Sequence, residues 1–353
     1  MNRIPFDEKE LIPIGEAPSF MPGMPGRPIY NTPITSKENY MMLLDKQVPF
    51  WMPGFGDTTM MTPMIADNIA RGFVFEAEKL DMSKAGGLDM FGVDWEYVPQ
   101  VGGSMVRAGS PKVPDITRWE EYITFPNIAE LMDWEACAKR NKGTFYKEDK
   151  PLVITILTGL FERLISFMDF ENAAYALVDE DQQEGVHRLF DKLADFYDEY
   201  IGYYKKYLDC DIISFHDDWG SQRAPFFSLA TVREMILPYL KRVVDSVHKY
   251  GMKFDLHSCG KNELLVPAMI EAGVDSWSGQ PMNDHEMLYE KYGDQITLGV
   301  PMKGLSEDMS DEELYAAVED FVRKHPKALG STFGAPPKAS AYLYEISRKV
   351  FCG

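Results

Sequence analysis

The chain lacks any long apolar run. No stretch approaches the ~20 consecutive apolar residues that a membrane-spanning helix needs. The first residues, MNRIPFDEKE, also lack the apolar segment of a secretory signal peptide. Together these absences predict a cytoplasmic protein with no membrane partner.

Positive charge and cysteine are both in short supply. Lys and Arg number 36 against 55 Asp and Glu, which gives a formal net charge of −19. A chain so acidic is a poor partner for nucleic acid or an anionic membrane, because both require basic surface patches. The four cysteines, at positions 137, 210, 259 and 352, show no framework spacing, so we expect reduced thiols.

The N-terminal third of the chain is irregular. Residues 1–36 are rich in Pro and Gly and predict an irregular N-terminal arm. A first strand is expected at Pro49–Pro53, and Trp119–Asn141 is expected to be helical. Residues 86–118 form a loop insertion rich in Gly and aromatic residues, in which Tyr97 is a candidate for binding substrate.

From residue 151 onward, short apolar runs alternate regularly with amphipathic helical stretches. This alternation predicts parallel strands joined by helical crossovers, and nearly continuous apolar runs are typical of strands buried on both faces. The predicted fold is therefore α/β, with residues 37–353 forming a single (β/α)8 TIM barrel. An open doubly wound sheet is the alternative, but no G-x-G-x-x-G follows any strand. The predicted strands are 152–157, 211–215, 252–256, 274–277, 296–300 and 328–332.

The stretch MKFDLHSCGK, residues 252–261, is the most informative in the chain. An apolar run ends at His257 and Cys259, which lie two positions apart. In an extended backbone such side chains point to the same side. Imidazole and thiolate are preferred zinc ligands, so the pair is a candidate metal site, although a buried cysteine often does no more than fill the core.

Other polar residues follow the predicted strands. In a barrel the carboxyl ends of the strands form one mouth, where active sites lie. HDDWG (216–220) should therefore lie beside HSCG (257–260). Asp217 and Asp218 are the candidate catalytic acids. The candidate substrate-binding residues are Glu162, His216, Trp219, Gln222, Trp277, Gln280 and Tyr97, and Asn283 and Phe333 are also expected at the mouth.

These residues lie in a sequence that resembles the uroporphyrinogen decarboxylase superfamily. The stretches that carry the likeness are TGLFERL (158–164), DDWGSQRAPFFS (217–228), EMILPYLKRVVDSVHKYGMKFDLHSCGKN (234–262), EAGVDSWSGQPMND (271–284) and KYGDQITLGV (291–300). The local pattern is most similar to the corrinoid-dependent methyltransferase branch, in particular to enzymes that demethylate methyl ethers. The related coenzyme M methylases bind zinc through His-x-Cys and a distant third Cys, and the resemblance assigns the first two positions to His257 and Cys259.

The sequence departs from the family pattern in two places. The decarboxylases carry an arginine-rich motif where this chain has PFWMPGFGDTT (49–59), without arginine. The methylases place their third thiolate after the last strand, where this chain has STFGAP (331–336), without cysteine. The third ligand is therefore left open among Asp217, Asp218, His216 and Glu162. Zinc with a single thiolate keeps more Lewis acidity, which suits an ether oxygen.

The resemblance thus implies a methyltransferase. It would move methyl from a small O-methyl substrate, an aryl methyl ether, to the cobalamin of a separate corrinoid protein, with zinc as the metal. A homodimer is compatible with this prediction. The alternatives are a cofactor-free decarboxylase of the uroporphyrinogen type and a non-catalytic barrel that binds a corrinoid protein.

Overall fold

A computed structural model describes residues 3–17, 27–100, 102–107, 109, 111–332 and 334–353. The described residues fall into two compact units, one made of Met1–Thr58 with His285–Gly353 and the other of Thr59–Asp284. Phe333, which the sequence places at the mouth, lies outside the described residues, as do residues 1, 2 and 18–26 of the predicted N-terminal arm.

The strands, in chain order, are β1 Gly15–Ala17, β2 Arg27–Ile29, β3 Thr59–Met61, β4 Gly87–Leu88, β5 Asp94–Val98, β6 Gly103–Val106, β7 Leu152–Ile156, β8 Ile212–His216, β9 Lys253–His257, β10 Ser276–Trp277, β11 Thr297–Pro301 and β12 Leu329–Ser331.

The α-helices are α1 Ser36–Leu44, α2 Ala66–Ala70, α3 Trp134–Asn141, α4 Leu160–Met168, α5 Phe170–Ala176, α6 Glu180–Leu208, α7 Leu229–Thr231, α8 Leu237–Lys249, α9 Val266–Ala272, α10 His285–Tyr292, α11 Asp311–Lys324 and α12 Pro337–Cys352. Between α7 and α8 the chain makes a wide turn of π-helix at Val232–Ile236. None of the described helices is both long and apolar enough to cross a bilayer.

The unit formed by Thr59–Asp284 is built on a five-stranded parallel sheet in the order β10-β9-β8-β7-β3. β7 and β8 are almost wholly buried, as expected for strands that are covered on both faces. β8 and β9 pair in register, so that His216 lies opposite His257. Because parallel strands all point the same way, their carboxyl ends meet along one edge, and the loops that follow them are neighbours.

The insertion is an ordered structure and not only a loop. β4, β5 and β6 form a small antiparallel sheet in the same unit. Arg163 on α4, which is fully buried, holds this sheet by donating hydrogen bonds to Asp89 and Asp67. A buried guanidinium needs such carboxylate partners, so these contacts attach the insertion firmly to the sheet that supports the site.

In the other unit, β11 and β12 pair in parallel and β1 and β2 pair antiparallel. The predicted strand at Pro49–Pro53 is wrong, since the segment is buried but is not part of a ladder. The backbone N–H groups of Phe50 and Trp51 donate to the Asn39 side chain, and that of Met52 donates to Ser347. Side chains therefore take the hydrogen bonds that a neighbouring strand would take.

The α/β class and the parallel strand–helix alternation are confirmed. The described residues contain five parallel strands in one unit and two in the other, so closure of eight strands into a barrel stays a prediction. Two local predictions need correction. Trp119–Asn141 contains short 3-10 turns followed by α3 and is not one helix. Part of the N-terminal region is regular, with a 3-10 turn at Glu8–Leu11 and the β1–β2 pair.

Candidate metal centre

The ends of β8 and β9 bring four potential ligands together. His216 and His257 are the last residues of these paired strands, and Asp218 and Cys259 follow each of them two positions later. Each residue offers one donor atom, and these four atoms all lie within 4.8 Å of one another. The sequence predicted His257 and Cys259 as a pair and left a further ligand open among four candidates, of which the structure brings His216 and Asp218 to the pair.

The distances within the cluster are short. Cys259 Sγ lies 3.4 Å from His257 Nε2, and His216 Nε2 lies 3.1 Å from Asp218 Oδ1. The two imidazole rings meet edge to face, with centroids 4.5 Å apart and an interplanar angle of 80°. Asp218 Oδ1 also accepts a hydrogen bond of 2.7 Å from the backbone amide of Cys259.

This donor set fits zinc. In a tetrahedral site with Zn–N bonds of about 2.0 Å and a Zn–S bond of about 2.3 Å, neighbouring ligand atoms are separated by roughly 3.3 to 3.6 Å. The separation of Cys259 Sγ from His257 Nε2, 3.4 Å, matches such an edge. Two imidazoles, one sulfur and one carboxylate are also ligands that zinc accepts.

Three members of the cluster have displaced pKa values. The pKa of His257 falls to about 4, because the surrounding side chains shield the imidazole from water and His216 lies beside it. Burial and the Asp218 carboxylate raise the pKa of Cys259 to about 12. Burial would raise the pKa of Asp218 too, but the hydrogen bond with His216 and the Cys259 amide hold it at about 2. At neutral pH, His257 is therefore neutral and Asp218 is ionised, as metal ligands must be, whereas the Cys259 thiol would have to lose its proton on binding a metal.

Asp217 lies outside this cluster. It is completely buried, and its Oδ1 accepts from the Glu162 amide at 2.8 Å while its Oδ2 accepts from Trp219 Nε1 at 2.9 Å. Burial raises its pKa to about 8. Because both oxygens are already engaged, Asp217 orients the starts of the two loops after β7 and β8. Its predicted catalytic role stays a prediction.

A set of polar side chains fixes the loop after β9. Gln280 accepts from the Gly260 amide at 2.8 Å, and the Asn283 side chain donates to the Gly260 carbonyl at 2.9 Å. Ser258 accepts from the Trp219 amide and from Asn262 Nδ2. The sequence predicted Gln280 as a substrate-binding residue, whereas in the structure its side-chain oxygen holds the ligand loop. Ser258 and Asn262 were missed, because only their tertiary contacts show the role.

The remaining predicted residues lie outside the four-residue cluster. Trp219 and Trp277 are buried, and Trp277 Nε1 donates to the Ser258 carbonyl at 3.4 Å. Gln222 is exposed in the loop after β8, and Tyr97 is half-buried in β5. Glu162 begins α4 beside Asp217 and is outside the four-residue cluster. Contact of these five residues with substrate stays a prediction.

Comparison with known families identifies the family to which this chain belongs. A family model for uroporphyrinogen decarboxylase (URO-D) matches residues 87–327, more than half of the chain. The chain belongs to the uroporphyrinogen decarboxylase family. The matched region includes β7–β10 and all four members of the metal-ligand cluster. The superfamily resemblance noted in the sequence is thereby confirmed. No curated protein sequence matches the chain.

Among solved structures, a methyltransferase from Methanosarcina mazei shares the fold. It is 13% identical, with a TM-score of 0.56 over 90% of this chain and 98% of its own. At such low identity the likeness concerns the fold alone. An archaeal fructose 1,6-bisphosphate aldolase, at 13% identity and a TM-score of 0.28 over 42% of this chain and 61% of its own, is too distant to support any inference.

Proposed function

We propose that this protein is a methyltransferase that moves a methyl group from a small O-methyl substrate, an aryl methyl ether, to the cobalt of a separate corrinoid protein. The observation that carries the proposal is the cluster of His216, Asp218, His257 and Cys259, whose donor atoms lie within 4.8 Å of one another. The shared fold of a methyltransferase supports it. The corrinoid acceptor follows from the resemblance of the sequence to that branch of the family.

In this reaction the methyl carbon forms a bond to the acceptor as its bond to the ether oxygen breaks. The electron pair of the broken bond stays on oxygen, so the leaving group is an alkoxide or phenolate that must be stabilised. A zinc ion bound by the cluster would supply Lewis acidity at that oxygen. His257 and Cys259 would be two of its ligands. His216 or Asp218 would be the third, so that one of the four positions would stay open for the oxygen, and the ionised Asp218 would balance charge.

Asp218 is poorly suited to act as the general acid. A carboxyl group with a pKa of about 2 is almost fully ionised near neutral pH and holds no proton to give. The two aspartates therefore have different tasks. Asp218 is part of the candidate metal centre. Asp217 accepts hydrogen bonds from the Glu162 amide and from Trp219 Nε1, and so fixes the positions of both residues.

The first experiment measures metal content by elemental analysis after purification without chelator. We expect about one zinc per chain in the wild type and a loss of most of it in His257→Ala. His187→Ala is the matched control, because His187 bonds Tyr239 on the helical layer, outside the cluster. A wild-type protein that contains no metal and takes up none when zinc is added would contradict the metal site.

The second experiment measures methylation of a reduced corrinoid protein, by its absorbance, with methoxylated phenols as donors. Cys259→Ala should abolish methyl transfer and leave the circular dichroism spectrum unchanged. A fully active Cys259→Ala would rule out the assignment of Cys259 as a ligand.

Decarboxylation of a porphyrinogen is the second candidate, and the family match is the observation that favours it. The stretch PFWMPGFGDTT lacks the arginines that would bind a substrate with many carboxylates. Release of CO2 from a porphyrinogen by the metal-free protein would establish this activity in place of the first.

A further inference from the structure

Three neighbouring strands carry polar side chains one layer before the candidate metal ligands. Ser214 on β8 lies opposite Asp255 on β9, and Asp255 lies opposite Ser276 on β10. Because side chains two apart along a strand point to the same side, Ser214 shares a face with His216, and Asp255 shares a face with His257. Inward-facing layers in (β/α)8 barrels are usually filled by branched apolar side chains. A polar layer at this level is therefore unusual for such a sheet.

The carboxylate of Asp255 joins the three strands. Its Oδ2 accepts a hydrogen bond of 2.9 Å from the Ser214 hydroxyl, and its Oδ1 accepts one of 2.7 Å from the Ser276 hydroxyl. The two serines are buried and Asp255 is half-buried. Hydrogen bonds are directional, whereas apolar contacts are not. This network therefore fixes the separation and the relative orientation of the strands and does not merely fill the space between them.

Thr155 continues the polar layer onto β7 but makes no such bond. It lies opposite Ser214 in the register of β7 and β8, and it is about as buried, with 7% of its surface exposed against 9%. Its Oγ1 has no hydrogen-bond partner in the described part of the chain. The bonded part of the layer thus covers β8, β9 and β10. The four candidate metal ligands belong to β8, β9 and the loops after them.

Beyond this layer, little else joins β8 to β9. Their register ends at the pair His216 and His257. The amide of Asp217 then donates to the His257 carbonyl at 2.9 Å, and the chain leaves the strands for the ligand loops. Strand ends with few bonds open more easily than strand centres. Metal ligands must keep their places within about 0.5 Å, so the bonded layer just before them matters for metal binding.

We propose that Asp255 is a positioning residue of the candidate metal centre. Through Ser214 and Ser276 it fixes the carboxyl ends of β8, β9 and β10 against one another, and thereby the separation of His216 from His257. Asp255 need not touch metal or substrate, since it acts through the strands. The inference rests on the proposed function only for the metal and does not depend on the identity of the methyl donor.

The first test separates positioning from stability. In the triple variant Ser214→Ala/Asp255→Leu/Ser276→Ala the layer becomes apolar. Replacing all partners of a buried hydrogen-bond network by apolar groups is often close to neutral for the free energy of unfolding, so urea unfolding should change little. The visible d–d absorption of the Co²⁺-loaded protein, which reports ligand geometry, should nevertheless shift, and zinc affinity should fall by about tenfold or more. An unchanged spectrum and affinity would overturn the proposal.

Single variants of the same layer supply a matched comparison. Ser214→Ala removes one bond to Asp255 and should shift the Co²⁺ spectrum, whereas Ser214→Thr keeps the hydroxyl and should preserve the spectrum of the wild type. Thr155→Val is the control, because the Thr155 hydroxyl makes no bond and its loss should leave the spectrum unchanged. These variants also cover the case in which the triple variant does not fold. Equal shifts in Ser214→Ala and Thr155→Val would show that the polarity of the layer matters and would refute the network.

Hydrogen exchange of the metal-free protein gives a readout that does not require a metal. In the triple variant, or in Ser214→Ala, the Asp217 amide at the carboxyl ends of β8 and β9 should exchange at least about tenfold faster than in the wild type. The Lys253 amide donates to the Asp211 carbonyl at 3.0 Å at the amino ends of the same strands, and its exchange should stay unchanged.

Failure of this inference and failure of the proposed function give different results. A wild type that takes up neither zinc nor Co²⁺ would refute the metal centre, and exchange at Asp217 would then decide whether Asp255 fixes the strand ends. Exchange at Asp217 that is the same in the wild type and the variants would refute the positioning role, even in a protein that binds zinc.

Discussion

The backbone amide of Cys259 donates a 2.7 Å hydrogen bond to Oδ1 of Asp218. The bond joins the loop after β9 to the loop after β8, and the same oxygen lies 3.1 Å from His216 Nε2. One carboxylate therefore fixes the position of a thiol and of an imidazole at once. The relative placement of the candidate ligands depends on Asp218 more than on any other side chain in the cluster.

Replacing Asp218 tests whether its charge matters. In Asp218→Asn the amide oxygen can still accept from Cys259, so the loops should stay in place, but the anionic donor is lost. We expect zinc affinity to fall by about 10- to 100-fold, measured by competition with a chromophoric chelator. Asp191→Asn on α6, which removes the same charge from a helix surface, should leave the affinity unchanged. Unchanged affinity in Asp218→Asn would mean that Asp218 only joins the loops.

The backbone conformation and the close packing at position 260, beside the metal centre, require a glycine. Its φ is +96°, and a Cβ there would collide with the Gly220 carbonyl in the loop after β8. Gly260→Ala should therefore push the two ligand loops apart and reduce both bound zinc and the thermal midpoint. Gly251→Ala is the control, because Gly251 has φ +72° but open space around its Cα. It should cost only the backbone strain, about 1 kcal/mol, and keep its zinc. Equal zinc content in both variants would contradict the steric argument.

The buried indole of Trp219 donates a hydrogen bond to the Asp217 carboxyl group. Trp219→Phe leaves Asp217 Oδ2 without that donor inside the protein, which should cost about 1–3 kcal/mol in addition to the lost packing. Trp277→Phe removes a similar volume from an equally buried site, but its N–H bond to Ser258 is long, 3.4 Å. Urea unfolding should show Trp219→Phe to be the more destabilised variant. The reverse order would show that packing and not the hydrogen bond decides.

Stability at acid pH should depend on Glu10. Burial would raise its pKa, but hydrogen bonds from Arg348 and Tyr344 lower it below the usual value. A lowered pKa stabilises the fold above the unfolded-state value of about 4.3, and this contribution is lost as the pH falls through the folded-state pKa.

Glu10→Gln should therefore cost about 3 kcal/mol at pH 7, since it leaves the buried Arg348 uncompensated. Its deficit relative to the wild type should shrink as the pH falls below the unfolded-state value of about 4.3 and through the lower folded-state pKa. Urea unfolding at several pH values measures this, with the exposed Glu8→Gln as control. A deficit that does not change with pH would contradict the assignment.

The local sequence pattern predicted the positions of strands correctly where a segment is buried in a periodic way. The strands β7, β8 and β9 lie within a few residues of their predicted positions, because burial on both faces imposes a pattern that the sequence must show. The strand prediction at Pro49–Pro53 was wrong because the backbone N–H groups of this buried segment donate to the side chains of Asn39 and Ser347, and no local pattern reveals such partners.

The sequence by itself determined the parallel α/β plan, the family, and the pair His257 and Cys259, because strand periodicity places residues two apart on one side. Only the tertiary structure decided which partners join them. The register of β8 against β9 put His216 opposite His257, and a hydrogen bond across the loops selected Asp218 over its neighbour Asp217. Arg71 also reached Glu162, 91 positions away in the chain (162 − 71), through the order of β3 and β7 in the sheet. Such choices depend on the pairing of distant strands, which the chain settles only when it folds.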